Sequence, residues 1–190
     1  MKTILLSVFS LLMMVTAKTQ DKWPPVDKSP MDLSYCPPNF PVLKLQQKAT
    51  EPLMARVIYS RPAVLGRKIF GELLEYGKVW RVGANEATEV EFFKEVYINN
   101  TKIKKGRYTL YAIPSKDKWT IILNKETDTW GAFGYKPAFD VVRMDVAVET
   151  LSTPAEVLSI YFDMKDAGKY MMNIVWDTVA VAIPFSTMKQ

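Results

Sequence analysis

From residue 56 onward the apolar positions recur at every second residue. Val57 and Tyr59 share one face of residues 56–60, and Val90 and Phe92 share one face of residues 88–93, with Glu89 and Glu91 opposite. Period two is the signature of a strand with one buried face. The same alternation sets Tyr108, Leu110 and Ala112 on one side of residues 107–113. It sets Trp119, Ile121 and Leu123 on one side of residues 119–124. Strands are also predicted over residues 96–98, 141–148, 156–163, 170–176 and 179–185. Turn chemistry falls between them. Asn99 and Asn100 tolerate positive φ, Gly106 and Gly168 supply it, and Asp177 with Thr178 reads as one more turn. No long helical stripe appears, and residues 65–76 have room for one helical turn at most. About nine short strands with frequent turns predict an all-β fold, a single antiparallel β-sandwich or barrel-like domain.

Four stretches break the alternation. Residues 4–15 are apolar and follow Lys2, with small or short residues at Thr16, Ala17 and Thr19. That is the pattern of a signal peptide over residues 1–19, cut after Ala17 or Thr19, and the run is too short to span a bilayer. Residues 20–40 form a proline-rich arm containing Pro24, Pro25, Pro30, Pro37 and Pro38. Such an arm is extended, is barred from a central strand, and with Trp23, Met31, Leu33 and Tyr35 is expected to lie against the domain. The β-domain itself is expected over residues 41–190. Inside it, residues 59–91 and 125–139 are irregular, the first dense in charge and glycine, the second in aromatics. Long connections of this kind are more often functional than ordinary loops.

Composition removes several chemistries. The chain has no histidine and one cysteine. Ser-His-Asp and Cys-His catalysis are therefore excluded, as is any histidine-ligated metal site. Acid–base work would fall to Asp, Glu, Lys or Tyr. Cys36 has no intrachain partner and reads as a buried or inert thiol, so the fold rests on its core. The net charge of +5 falls to +3 once residues 1–19, with Lys2 and Lys18, are removed. That is no nucleic-acid signature. The cluster of Lys102, Lys104, Lys105 and Arg107 reads as a charged hairpin that discourages edge pairing. Asn99, Asn100 and Thr101 spell a glycosylation sequon, read here as turn chemistry.

The candidate site draws on both irregular stretches. Arg61, Arg81, Asn85 and Glu86 would orient polar groups of a ligand, with Arg67 and Thr88 nearby, because arginine forks grip carboxylates and phosphates. Trp80 and Trp130 would supply apolar or stacking contact, as would Tyr76 or Tyr135. The structural alternative is that Arg81 pairs with Glu86 to pin the glycine-rich connection, while Trp130 and Phe133 cap the core. Glu126 and Asp128 stand where a hard cation would need them, but the loop lacks the Ca²⁺-loop pattern, so no metal or other cofactor is expected. A carboxylate-driven hydrolase would require two of Glu86, Glu89, Glu126, Asp128 and Asp140 to meet across an open cleft.

The strings YSRPAVLGRKIFG, YGKVWRVGANEATEVEF and KKGRYTLYAIPSKDKWTIILNKETDTWGAF carry a resemblance. Over residues 41–185 the chain resembles DUF2911, a bacterial family of unknown function. The resemblance implies export in a Gram-negative bacterium, to the periplasm or beyond, and assigns no catalytic residues. The expectation is a secreted sandwich that binds a small-molecule ligand, a glycan or a small anion, without turning it over. A glycosidase-like hydrolase and an envelope assembly protein are the competing classes.

Overall fold

A computed structural model describes residues 23–189. The expected leader, residues 1–19, and the first residues of the arm lie outside the described residues. Ten strands and one short α-helix follow in order, with a single 3-10 turn at Pro137–Phe139 before the eighth strand. They are β1 (Met31–Cys36), α1 (Phe40–Leu45), β2 (Ala55–Ser60), β3 (Glu89–Phe92), β4 (Val96–Ile98), β5 (Thr101–Ile103), β6 (Gly106–Pro114), β7 (Lys118–Asn124), β8 (Asp140–Ala147), β9 (Glu149–Asp166) and β10 (Lys169–Ser186). They form a six-stranded sheet ordered β1-β2-β3-β6-β7-β8 and a four-stranded sheet ordered β5-β4-β10-β9. Every strand pairing within the sheets is antiparallel. The fold is all-β and sandwich-like, with two sheets and no closed barrel.

The alternation in sequence becomes the two faces of the sheets. Val57, Tyr59, Val90, Phe92, Leu110, Trp119, Ile121 and Leu123 turn inward from the larger sheet. They meet Leu158, Ile160, Phe162, Ile174, Trp176, Ile183 and Phe185 of the smaller one. The outer face of β2, β3 and β6 is charged instead. Arg56 pairs with Glu91 at 2.6 Å, directly opposite in register, and Arg107 reaches Glu89 at 3.3 Å. Further along β6, and on β7 beside it, the outer face is buried as well. The 125–139 loop lies over β6 and β7 and covers Tyr111 and Ile122 with Tyr135 and Ala132.

Three elements differ from the sequence pattern for physical reasons. Residues within the proline-rich arm form β1, which pairs with β2 from Met31 opposite Ser60 to Cys36 opposite Ala55. It is an edge strand, and Pro30 and Pro37 flank it where a missing N–H breaks no ladder. The turn expected at Asp177 and Thr178 is a bulge inside one continuous strand. Asp177 has φ 53°, yet β10 stays paired with β9 on both sides of it, through Val175 opposite Ser159 and Val179 opposite Thr150. An aspartate suited to positive φ serves a bulge as well as a turn, and only the partner strand decides which. The helix α1 carries no buried residue and follows Asn39, at φ 57°. Nothing in its apolar spacing marks it.

The free edge of β9 is covered by the chain leaving β2. Leu158 N–H donates to the Pro62 carbonyl at 3.0 Å, and Val64 N–H donates to the Glu156 carbonyl at 2.7 Å. This seals one side of the sandwich and anchors the start of the 61–88 connection. No helix among the described residues is long and apolar enough to cross a membrane.

Cys36 is fully buried, and burial, reinforced by nearby Glu51, pushes its thiol up from 9.0 to about 12. Burial likewise raises the Tyr135 phenol from 10.0 to about 12. The folded state thus keeps protons that the unfolded chain loses. Stability from these groups is complete below pH 9 and declines as pH rises toward 12. Thermal melts at pH 7, 9 and 10.5 should show a falling midpoint over the last interval, and Cys36→Ala should flatten part of that fall.

Candidate functional site

The connection from β2 to β3 is built around two aromatics that enter the core. Phe70 and Trp80 lodge between the sheets beside Trp119 of β7 and Trp176 of β10. Trp80 stacks on Trp176 with ring centroids 5.9 Å apart and an 18° tilt, and it meets Trp119 edge-on at 5.6 Å. Phe70 touches all three rings at 5.4–6.5 Å. Trp80 also exchanges backbone hydrogen bonds with Ala112 of β6, at 2.7 and 2.9 Å. The chain is therefore fixed at Trp80 and must turn sharply to reach β3.

That turn, residues 81–87, is a tight strap. Thr88 Oγ1 donates to the Val82 carbonyl at 2.7 Å, and Thr88 N–H donates to the Arg81 carbonyl at 3.0 Å. Trp80 Nε1 donates to the Gly83 carbonyl at 3.1 Å. Val82, fully buried, is held at φ 55°, a conformation that costs a β-branched residue about 1–3 kcal/mol. Gly83 is needed for close approach, since a Cβ there would lie 3.3 Å from Thr88 Oγ1 and 3.4 Å from the Ser60 carbonyl oxygen.

A cavity of about 270 Å³ opens between this strap and the aromatic cluster. Ser29, Arg67 and Arg81 contribute polar groups to its wall with Gly83 and Ala84, and Pro62, Leu73, Leu74, Trp80 and Trp176 make the rest apolar. No acidic residue is part of the wall. Arg67 donates Nε and Nη2 to the carbonyls of Val64 and Ala63, at 3.0 and 2.5 Å, and has no carboxylate partner. Arg81 has none either, and its Nε is buried with no hydrogen-bond partner. Burial alone lowers its pKa, with no neighbouring anion to offset it. Trp176 is 2% exposed, and its indole Nε1 is also buried without a partner. Among the described residues two other buried side-chain atoms share this condition, Arg56 Nε and Glu126 Oε2. Each belongs to a group already in an ion pair, with Glu91 and Lys136. Arg81 and Trp176 have no such compensation, and both residues contribute to the wall of one cavity, with these two atoms themselves closed to solvent.

The other candidate residues fall elsewhere. Arg61 is a clamp. It meets Asp32 of β1 at 3.0 Å, the Leu158 carbonyl at 3.1 Å and Ser159 Oγ at 2.9 Å, joining β1 to β9. Arg81 and Glu86 form no ion pair, so the strap is pinned by Thr88 and Trp80 rather than by a salt bridge. Trp80, 5% exposed, is stacked inside the protein and shows a ligand only the part of its ring that walls the cavity. Asn85 contributes backbone, with φ 57° and its carbonyl accepting from Gly131 N–H at 2.9 Å.

Glu86 bridges to Trp130, and Ala87 N–H donates to the Thr129 carbonyl at 2.9 Å, so the two irregular stretches do meet. They meet at a second cleft of about 290 Å³, lined by Met31, Ile58, Glu86, Ala87, Glu89, Asp128 and Thr129. Trp130 is 62% exposed and Phe133 89% exposed, so neither caps the core, and Tyr135 covers the sheet instead. The carboxylates at this cleft are largely committed. Arg107 binds Asp128 at 2.5 Å and Glu89 at 3.3 Å, and Glu89 also accepts the Asp128 N–H at 2.6 Å. Among the described residues no group of three or more His, Cys, Asp or Glu side chains stands close enough to hold a metal ion.

Trp176 was not legible as part of the cavity wall beside Arg81. In sequence it is one more inward position of an alternating strand. The signal available was chemical: a buried indole N–H demands an acceptor, and the strand offers none.

A family model described as "Protein of unknown function (DUF2911)" matches residues 41–185. No curated protein and no solved structure matches the chain.

The two arginines should behave oppositely on substitution. Arg61→Ala removes charge-assisted bonds that tie β1 to β9 and should cost about 2 kcal/mol in urea unfolding. Arg81→Met removes a guanidinium without partners and keeps its apolar stem. It should leave stability within about 0.5 kcal/mol or raise it.

Proposed function

The chain belongs to the DUF2911 family of proteins of unknown function, and on that footing we propose that it is an exported domain that binds a small anionic ligand in the cavity beside Arg81, without turning it over. The reading is carried by one observation: a half-buried arginine with no partner lines a cavity that contains no carboxylate. A desolvated, unpaired cation is costly, and an incoming carboxylate or phosphate meets its requirement with charge-assisted hydrogen bonds. The Arg67 guanidinium, also without a carboxylate, adds a second positive charge to the same wall. A volume near 270 Å³ lies at the lower end of ligand pockets, which suits a small molecule. Export is supported by the leader pattern of residues 1–19.

A glycan is less well served. Sugar stacking needs an open aromatic face, and Trp80 has its face against Trp176. Hydrolysis by paired carboxylates is also poorly supported. Glu89 and Asp128 share a cleft, but both are held by Arg107, which leaves neither free to deliver a proton to a leaving group.

Thermal-shift and calorimetric titration of the purified protein with inorganic phosphate, sulfate, acetate, hexanoate, benzoate and neutral monosaccharides tests this. At least one anion should saturate, adding about 2.7 kcal/mol of stability at a hundred times its Kd. Arg81→Met should abolish that gain while folding normally. Monosaccharide binding with no anion response, or anion binding unchanged in Arg81→Met, would refute the assignment.

A further inference from the structure

Apart from the Arg81 cavity, we propose that the second cleft, where the strap meets the 125–139 loop, takes an organic ammonium ion carried on an apolar body, with Glu86 as its counter-ion and Trp130 as its aromatic partner. The cleft measures about 290 Å³, and Met31, Ile58 and Ala87 give it an apolar lining. Leu33 stands directly opposite Ile58 in register and is exposed, as is Met31. The apolar surface therefore continues from the cleft onto the outer face of β1.

Glu86, Glu89 and Asp128 all line this cleft, and they are not equivalent. Arg107 holds Glu89 at 3.3 Å and Asp128 at 2.5 Å, so one positive charge serves both carboxylates. The Glu86 side chain has no hydrogen bond or ion pair among the described residues. Negative charge is thus in excess, and Glu86 is the carboxylate free to take a cation. Glu86 and Trp130 stand opposite each other across an antiparallel bridge. Residues so placed send their side chains to the same face, with Cβ atoms about 5 Å apart. Trp130 is 62% exposed, so its indole is open where that of Trp80 is stacked. An ammonium ion beside both groups gains Coulomb attraction from the carboxylate and attraction to the negative face of the ring. A bare metal ion would use neither the indole nor the apolar lining, and an anion would be repelled.

Titration of the purified protein, followed by calorimetry and tryptophan fluorescence, decides the point. The probes are benzylamine and benzyltrimethylammonium, with benzyl alcohol as the neutral counterpart and methylammonium and Ca²⁺ as cations without an apolar body. The two benzyl cations should bind more than tenfold tighter than the other three. Glu86→Gln should weaken them about tenfold and Trp130→Leu severalfold. Both side chains are exposed, so the melting temperature of each variant should stay near that of the unaltered protein. Arg81→Met should leave benzylamine binding unchanged, which separates this site from the anion cavity. If benzyl alcohol binds as tightly as benzylamine, the counter-ion role falls. If methylammonium or Ca²⁺ binds as tightly, the apolar part of the assignment falls. Benzylamine binding that survives both Glu86→Gln and Trp130→Leu would place the site elsewhere, and no binding of either benzyl cation would overturn the proposal while the anion site stands. The probe comparison on the unaltered protein decides the ligand class even if a variant fails to fold.

Discussion

The packing of four aromatic rings organises this protein. Trp119 comes from the larger sheet and Trp176 from the smaller, while Phe70 and Trp80 come from the connection between β2 and β3. Each ring contact is worth about 0.5–1.5 kcal/mol beyond the area it buries. The connection is thereby part of the core rather than a loop laid over it. Once Trp80 is fixed between the sheets and bonded to β6, the chain has eight residues, 81–88, in which to turn and enter β3. The strain at Val82, the close approach at Gly83 and the Thr88 bonds all follow from that short span.

The polar groups around the strap divide into two populations. The acidic residues of the outer face are tied to cations: Glu91 to Arg56, Glu89 and Asp128 to Arg107, Glu126 to Lys136. Arg61 is likewise committed between β1 and β9. Against that background, two buried donors with neither acceptor nor ion pair, on two residues of one cavity wall, are the exception. Native proteins rarely leave such groups buried, because each costs about 1–3 kcal/mol. Where local chemistry conflicts with stability, function is the usual reason.

Much of the fold was legible because strand alternation is a local property. Val90 and Phe92 face inward while Glu89 and Glu91 face outward, whatever their neighbours are. The merger of two expected strands into β10 was not legible, because Asp177 fits a turn and a bulge equally. β1 was hidden because a proline-rich stretch reads as coil until an edge is present to receive it. The candidate site was less legible still. Arg61, Arg67 and Arg81 are equivalent as letters in one polar stretch. Arg61 binds Asp32, Leu158 and Ser159 from distant parts of the chain, Arg67 binds only the carbonyls of Ala63 and Val64 beside it, and Arg81 has no partner.

The amino-acid sequence by itself determined the all-β architecture, the inward faces of the strands, the family, and the absence of histidine chemistry. These depend on period, composition and motif, which are written along the chain. Only the tertiary structure decided which arginine is a clamp and which stands unpaired. It likewise decided that Trp80 belongs to the core and that Trp176, never marked by its surroundings in sequence, shares a cavity with Arg81. Whether a charged or polar atom is satisfied depends on what lies within hydrogen-bond distance of it, and that is settled only when the sheets close over the aromatic cluster.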